Sequence, residues 1–337
     1  MRPLLFRTSS KFLGLWAALC LLCIAFGCSI VFGQTSISLR TAVEAFVQFD
    51  ESSAEQLIIR TARLSRAVVA GMIGASLAVA GALLQALTRN PLASSDIFGI
   101  NAGAMFFVVL ATVFFSFHSL SQLMWFAFLG AALTSCLVFM LGSLGRDGLS
   151  PLKIVLAGAA TTALFSSFTQ GMLVIDEQGL EGVLFWLGGS VSGRTLEMLA
   201  PLWPVMLGAG AAALLSARSV NVFVSGEDIA KGLGQRVLAV KLLMGAVIVC
   251  LAGGSVAIGG SIGFIGLIVP HMARALVGID YRWVIPYCAV LGASVLLFAD
   301  VAARFVIMPE EMPIGVMTAV IGTPFFLFLA RKGLRKQ

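Results

Sequence analysis

The chain has 337 residues, of which 59% are apolar and only 11% are charged, and its mean hydropathy is +1.01. Soluble domains carry roughly 25% charged residues, so this composition excludes a water-soluble protein of this length. The net charge of +6 is small and gives no indication of a nucleic-acid partner.

Long apolar runs predict an all-α, polytopic membrane protein that forms a single transmembrane domain over residues 1–337. About 20 helical residues cross a hydrocarbon core about 30 Å thick. The eighth run is rich in glycine, and a further apolar patch at 183–191 is too short to cross. Ten spans are predicted, at 12–33, 64–87, 97–116, 119–142, 152–175, 198–216, 238–258, 261–278, 283–303 and 312–331.

The first run is predicted to be a retained transmembrane helix. Three basic residues precede it, as in a signal peptide, but at about 22 residues it exceeds the usual signal-peptide core. All six cysteines lie in or beside apolar runs. Cys20 and Cys23 have a C-x-x-C spacing without a second pair, so packing is favoured over redox or metal chemistry, and no cofactor is expected.

The positions of the basic residues predict the orientation of the spans. With ten spans, sixteen of the 22 lysines and arginines fall on the side that holds both termini. The positive-inside rule therefore places both termini in the cytoplasm. The basic residues on the opposite side are Arg40, Arg60, Arg63, Arg66, Arg194 and Arg304.

Arg63 and Arg66 stand at the predicted start of the second span. They share one helix face, and a helix N-terminus disfavours cations. Two readings stay open from the charges alone. The arginines could meet an acidic partner outside, or they could reach lipid headgroups or pair with Glu55.

The second span carries a small residue at every fourth position, namely Ala70, Gly74, Ala78 and Ala82. This pattern predicts close packing against another helix. The span is followed by Asn90 and Pro91, which predict a helix break on the cytoplasmic side.

The longest cytoplasmic connection is predicted at residues 220–236. Ser225 and Asp228 weakly resemble a capping box, and Gly232 and Gly234 could end a short helix. Such a helix could dock onto a soluble partner or could be a connector lying on the membrane surface.

Glycines between Gly259 and Gly266 superficially resemble a phosphate-binding loop. No G-x-x-x-x-G-K-[ST] motif occurs in the chain, so a broken or tightly packed membrane helix is predicted instead. His271 is expected to be a hydrogen-bonded structural residue. Asp300 and Arg304 have the i,i+4 spacing of an ion pair, which leaves both a structural role and an outward docking role open for Arg304.

Several stretches together resemble the FecCD-type permeases, the membrane subunits of ABC importers for ferric siderophores, haem and cobalamin. They are RLSRAVVAGMIGASLAVAGALLQALTRNPLASSDIFGINAGA (63–104), SGEDIAKGLG (225–234), GSIGFIGLIVPHMARALVGIDYRWVIP (260–286), LFADVAARF (297–305) and MPIGVMTAVIGTPFFLFLARK (312–332). The resemblance covers nearly all of the chain except its first 40 residues.

This resemblance implies ten helices with both termini in the cytoplasm, in a bacterial inner membrane. It also implies a second permease subunit (identical or different), two separate ATPase subunits and a periplasmic-type substrate-binding protein. The chain itself would be no enzyme, and no catalytic or metal-binding motif contradicts that.

The resemblance also assigns roles to particular residues. Family arginines that meet glutamates of the binding protein match Arg63, Arg66 and Arg304. The usual R-L-P-R reads R-L-S-R here, where Ser65 is expected to cap the helix instead. The cytoplasmic gates match Asn90, Leu92, Ser150 and Pro151. The helix that docks into the ATPase matches Gly226, Glu227, Ala230, Leu233 and Gly234.

The expected function is ATP-driven import of a ferric siderophore or a similar metal chelate. A cobalamin or haem permease of the same family is the first alternative. A secondary transporter driven by an ion gradient is an alternative from a different class.

Overall fold

The computed structural model describes residues 3–35, 37–117, 119–144, 150–175 and 186–334. The acidic residues Asp176, Glu177 and Glu181 and part of the 183–191 patch lie outside these ranges. Within these ranges, ten apolar helices of at least ten residues occur in chain order: α1 Thr8–Val31, α2 Ala54–Thr88, α3 Ile100–Phe115, α4 Leu120–Ser143, α5 Pro151–Ile175, α6 Trp203–Val224, α7 Val237–Gly259, α8 Ile265–Val277, α9 Tyr281–Ala303 and α10 Ile314–Leu334. A shorter helix, Leu39–Val47, lies between α1 and α2.

The predicted all-helical membrane architecture is confirmed in its coarse form. Within the described residues, seven of these helices are long and apolar enough to cross a membrane. The other three, α3, α8 and α10, have shorter apolar stretches. The 13 residues of α8 extend only roughly 20 Å, less than the hydrocarbon thickness.

Helix α2 begins ten residues before the predicted span. Ser53 accepts a hydrogen bond from the Gln56 N–H at its start, and one π-helical turn at Ile59–Arg63 joins its two α-helical parts. Arg63 and Arg66 therefore lie inside a continuous helix, away from its unsatisfied N–H groups. The predicted dipole penalty at these arginines, and the predicted capping by Ser65, are both wrong.

Glycines bring α2 into backbone contact with two other helices, as the small-residue pattern predicted. A Cβ atom added to Gly74 would lie 2.3 Å from the Gly292 carbonyl oxygen of α9. One added to Gly81 would lie 2.0 Å from the carbonyl oxygen of Gly266 in α8. Because no side chain fits at these crossings, the two glycines set the distance between the helices.

The predicted break in the glycine-rich region is confirmed. Helix α7 ends at Gly259, and Gly260 adopts a left-handed φ of +72°. Helix α8 starts only at Ile265. The turn between them is fixed against the segment that follows residue 185, because the Ser261 N–H donates to the Trp186 carbonyl at 3.0 Å. His271 is also hydrogen-bonded as expected, with Nδ1 2.9 Å from the Leu267 carbonyl oxygen.

Candidate functional site

The buried carboxylate of Asp300 lies at the end of the bundle where α1 and α9 end and α10 begins. Its side chain is fully buried and pairs with two arginines. Arg66 Nη2 lies 2.8 Å from Asp300 Oδ1, and Arg66 Nη1 lies 2.7 Å from Glu311 Oε2. Arg304 pairs with the other oxygen of Asp300, so the predicted i,i+4 ion pair is confirmed. We call this end of the molecule the arginine end.

Arg63 and Arg304 bind the last turn of α1. Arg63 Nη1 donates to the carbonyl oxygens of Ile30 and Val31 at 2.9 and 2.6 Å. Arg304 Nη1 donates to those of Ser29 and Phe32 at 2.8 and 2.7 Å. Cations at a helix C-terminus satisfy its free carbonyl groups and its dipole, so both arginines fix α1 to the bundle.

These contacts test whether Arg63 and Arg66 reach lipid headgroups or pair with Glu55. Arg63 is only 6% exposed. In the described part of the chain, the ion-pair partners of Arg66 are Asp300 and Glu311. The reading that the two arginines reach lipid headgroups or pair with Glu55 is therefore wrong, because their guanidinium groups are held inside the protein.

A cavity of about 400 Å³ opens between these residues, and we call it the arginine cavity. Its lining consists of Gly33, Gln34, Thr35, Ile58, Thr61, Ala62, Arg63, Arg66, Ser192, Gly193, Arg194, Thr195, Arg304 and Glu311. All three predicted docking arginines therefore meet at one cavity. A fourth arginine, Arg194, lines the same cavity, although its position in the sequence indicated only the orientation of the spans.

At the opposite end of the bundle a short helix, Glu227–Gly232, connects α6 to α7. Glu227 Oε1 lies 2.7 Å from Lys241 Nζ in α7 and 3.9 Å from Arg89 Nη2, just after α2. Gly226 precedes the helix with a φ of +133°, which a residue with a side chain rarely adopts. The Glu227 carboxylate thus links the short helix to two membrane helices.

The predicted capping box at this helix is wrong. Ser225 donates its hydroxyl back to the Asn221 carbonyl at 3.1 Å, and Gly226 occupies the N-cap without a side-chain bond. The helix end was predicted correctly, since Gly234 follows with a φ of +76°. Ala230 packs inward, whereas Ile229 and Leu233 are 55% and 70% exposed.

The two predicted gate positions lie at helix ends. Arg89 ends α2 in the left-handed region, and Asn90 Oδ1 accepts the Leu92 N–H at 2.9 Å. The Leu92 side chain is 40% exposed. At the second position, Pro151 is the first residue of α5, and the Ser150 carbonyl accepts the Ile154 N–H at 3.1 Å. The predicted gating role itself stays a prediction.

Helix α5 carries a polar stripe, defined by Thr162, Ser166, Thr169 and Gln170. These residues line a cavity of about 350 Å³ together with Asn101 and Ser261. Only 22% of the α5 span is buried within the chain. The stripe therefore belongs to a helix that the rest of this chain leaves largely uncovered.

Proteins of similar sequence include permeases of bacterial iron-import systems. The probable siderophore transport system permease protein YfiZ of Bacillus subtilis (strain 168) is 51% identical, with 98% of each chain covered. The Fe(3+)-citrate import system permease protein YfmD of the same organism is 44% identical, with 97% of each covered. The ferric enterobactin transport system permease protein FepD of Escherichia coli (strain K12) is 40% identical, with 94% of each covered.

Fold and family comparisons lead to the same class of protein. A solved structure of a metal-chelate type ABC transporter in an inward-facing conformation superposes with a TM-score of 0.83 at 33% identity, covering 94% of this chain and 98% of that one. The family model of the FecCD transport family matches residues 21–332. The chain therefore belongs to the FecCD transport family and is a multi-pass membrane permease subunit of a bacterial ABC importer, with no enzymatic activity of its own.

Proposed function

We propose that this chain forms half of the membrane pathway of an importer for a ferric siderophore or a similar iron chelate. The observation that carries the proposal is the near full-length similarity to permeases whose names specify siderophore, ferric citrate and ferric enterobactin transport. ATP hydrolysis takes place in separate ATPase subunits, and a binding protein delivers the chelate.

The polar stripe on α5 supports a pathway at the interface with a second permease subunit. Gln170 is the exposed member of the stripe, and an amide on a membrane helix is costly against lipid but can line a water-filled passage. A second subunit, identical or different, would cover this face and complete the passage. Asn90, Leu92, Ser150 and Pro151 would then close it on the cytoplasmic side.

Both termini face the cytoplasm in this proposal, so the arginine end faces outward. The distribution of lysine and arginine supports this orientation. The binding protein would dock over the arginine cavity, where Arg63, Arg66 and Arg304 meet. Since Arg63 and Arg304 are buried, an acidic side chain of the binding protein would have to enter the cavity to reach them.

Charge reversal tests the docking site. Arg66→Glu should weaken binding of the substrate-binding protein to the assembled transporter in nanodiscs. The matched control is Arg60→Glu, because Arg60 is an exposed arginine of the same helix that stacks on Phe49. Equal affinity for both variants and the wild type would rule the site out.

A second measurement covers the case in which Arg66→Glu does not fold. Thr61 is exposed and lines the arginine cavity. A Thr61→Cys variant should form a disulfide with cysteines introduced into the docking face of the binding protein. Ser9→Cys, an exposed position in the first turn of α1 at the opposite end of that helix, is the negative control. Cross-linking of both variants to the same extent would argue against docking at this end.

The short helix Glu227–Gly232 is proposed to couple the permease to the ATPase. Ile229 and Leu233 are four residues apart and exposed, so they present an apolar face that a groove on the ATPase could accept. Glu227 joins this helix to α7 and to Arg89, beside the predicted gate residue Asn90. Movement of the helix would therefore reach the gate through Glu227.

Substrate competition tests the choice of ligand. In cells that express the complete importer, uptake of radioactive iron from a ferric siderophore should be reduced by an excess of the same chelate. It should be unaffected by excess haem or cobalamin. Competition by haem or cobalamin, with none by ferric chelates, would instead favour the first alternative within the family.

A further inference from the structure

Arg194 is a buried cation without a carboxylate partner in the part of the chain that the structure describes. The residue is 5% exposed, and its Nε has no hydrogen-bond partner. Its neighbour is the ring of Trp186, whose centroid lies 5.4 Å from Cζ. Buried charges are normally paired, so an unpaired one indicates a site that receives an anion.

The surroundings of Arg194 favour an anion. Arg194 lines the arginine cavity together with Arg63, Arg66 and Arg304. Among the described residues, the carboxylates paired with these arginines are Asp300 and Glu311, and both are already bound by Arg66. Four guanidinium groups against two carboxylates leave the cavity positively charged. Its volume of about 400 Å³ admits a group larger than a single ion.

The backbone that carries Arg194 is held in place from several sides. The Ser190 N–H donates to the Gly259 carbonyl at 2.8 Å, and the Ser192 N–H donates to Ser190 Oγ at 3.1 Å. Gly189 and Gly193 both adopt left-handed φ angles. A Cβ atom on Gly189 would lie 2.5 Å from the Ser261 carbonyl oxygen. The site is thus formed before a ligand arrives, which lowers the entropy lost on binding.

We propose that Arg194 binds a carboxylate group that enters the arginine cavity. The planar guanidinium can donate two parallel hydrogen bonds to the two oxygens of such a group. Burial lowers the pKa of Arg194 to about 10, so the side chain is still protonated at neutral pH. The carboxylate comes either from a free anionic chelate or from an acidic side chain of the docked binding protein, and the second source rests on the function proposed above.

The first experiment needs only this chain, reconstituted at full length in nanodiscs, with iron-free citrate as the probe. Citrate should raise the unfolding temperature of the wild type beyond the effect of chloride at equal ionic strength. In Arg194→Gln the binding of citrate should be about tenfold weaker or undetectable, because a charge-assisted bond is lost. Arg60→Gln removes an exposed arginine and should respond like the wild type.

The unfolding temperature without citrate separates a binding role from a structural one. Arg194→Gln removes an unpaired buried cation, so its unfolding temperature should equal or exceed that of the wild type. An arginine with a structural role would lower it when replaced. A lower value in Arg194→Gln with an unchanged citrate response would overturn the proposal.

The second experiment identifies the source of the carboxylate in the assembled transporter. In citrate-free buffer, Arg194→Gln should bind the binding protein about tenfold more weakly than Arg60→Gln if the carboxylate belongs to that protein. A citrate response without any change in docking assigns the site to a free anion. If Arg194→Gln and Arg60→Gln bind citrate equally and also bind the binding protein equally, the proposal for Arg194 is wrong. This outcome is independent of whether Arg66→Glu affects docking.

Discussion

The Asp300 carboxylate neutralises the positive charges of two arginines, Arg66 and Arg304, in the interior of the arginine end. Among the described residues, replacement by Asn leaves Arg66 paired with Glu311 alone and leaves Arg304 with no carboxylate at ion-pair distance. Breaking one side of a buried ion pair costs about 3–5 kcal/mol. We therefore predict that Asp300→Asn strongly lowers the thermal unfolding temperature of the protein in detergent.

The matched control for this prediction is Glu44→Gln. Glu44 also pairs with an arginine four positions away, Arg40, at 2.7 Å, but Arg40 is 89% exposed. Exposed pairs contribute little to stability, so this variant should unfold like the wild type. Equal unfolding temperatures for Asp300→Asn and Glu44→Gln would contradict the role assigned to Asp300.

Glu227 is the second residue with a specific prediction. In Glu227→Gln the ion pair with the buried Lys241 is lost and the link to Arg89 is weakened. A loss on the order of 1–2 kcal/mol changes an equilibrium by a factor of about 5–30. Iron uptake per ATP hydrolysed should fall by a factor in this range.

Asp228→Asn is the control for Glu227→Gln, because Asp228 is the exposed neighbour on the same short helix. Both uptake and ATP hydrolysis are measured with the complete transporter in proteoliposomes. If uptake and hydrolysis keep the wild-type ratio in Glu227→Gln, the carboxylate does not transmit movement of the short helix.

At the scale of the helices, the glycine contacts of α2 are the most sensitive points of packing. Gly81→Ala places a methyl group on the Gly266 carbonyl oxygen of α8, where the distance would be 2.0 Å. Overpacking of this kind costs about 1–3 kcal/mol. We predict a lower unfolding temperature and reduced transport for Gly81→Ala.

The control, Gly208→Ala, lies in α6 and has open space around the added methyl group. Alanine in a helix interior is favoured over glycine by about 0.5–1 kcal/mol, so this variant should be neutral or slightly stabilised. A Gly81→Ala protein as stable as Gly208→Ala would mean that α2 and α8 can separate without cost.

Helix positions could be predicted from the sequence because apolar runs report directly on membrane crossing. The start of α2 was missed because hydropathy stops at the first charges, whereas Ser53 begins the helix ten residues earlier and a π-helical turn carries it past Arg63. The helix dipole argument depended on that boundary and failed with it. The break after Gly259 was predictable because Gly259, Gly260 and Gly263 lie close together and each lowers helix propensity. A glycine pair alone is not sufficient for a break, since Gly253 and Gly254 continue the helix within α7.

The candidate site was predictable only in part, because its contacts join distant segments. The spacing of Asp300 and Arg304 indicated their ion pair. Nothing in the sequence shows that Arg304 binds the Ser29 carbonyl, 275 positions away. Arg194 resembled an ordinary loop charge, since burial without a partner is visible only in three dimensions.

At the scale of the whole molecule, the chain is one subunit of a larger transporter. The polar stripe of α5, the exposed Ile229 and Leu233, and the arginine cavity lie at three different surfaces. We propose that these surfaces contact a second permease subunit, an ATPase and a binding protein, respectively. An ion-gradient transporter, in contrast, would need none of these partners to move its substrate.

Transport in proteoliposomes tests this central claim most directly. Vesicles that contain the permease subunits, the ATPase subunits and the binding protein should accumulate radioactive iron from a ferric siderophore only when ATP is supplied on the side of the ATPase. Vesicles with the permease alone should show no uptake under a proton or sodium gradient. Gradient-driven uptake by the permease alone, at the rate of the complete system, would contradict the account.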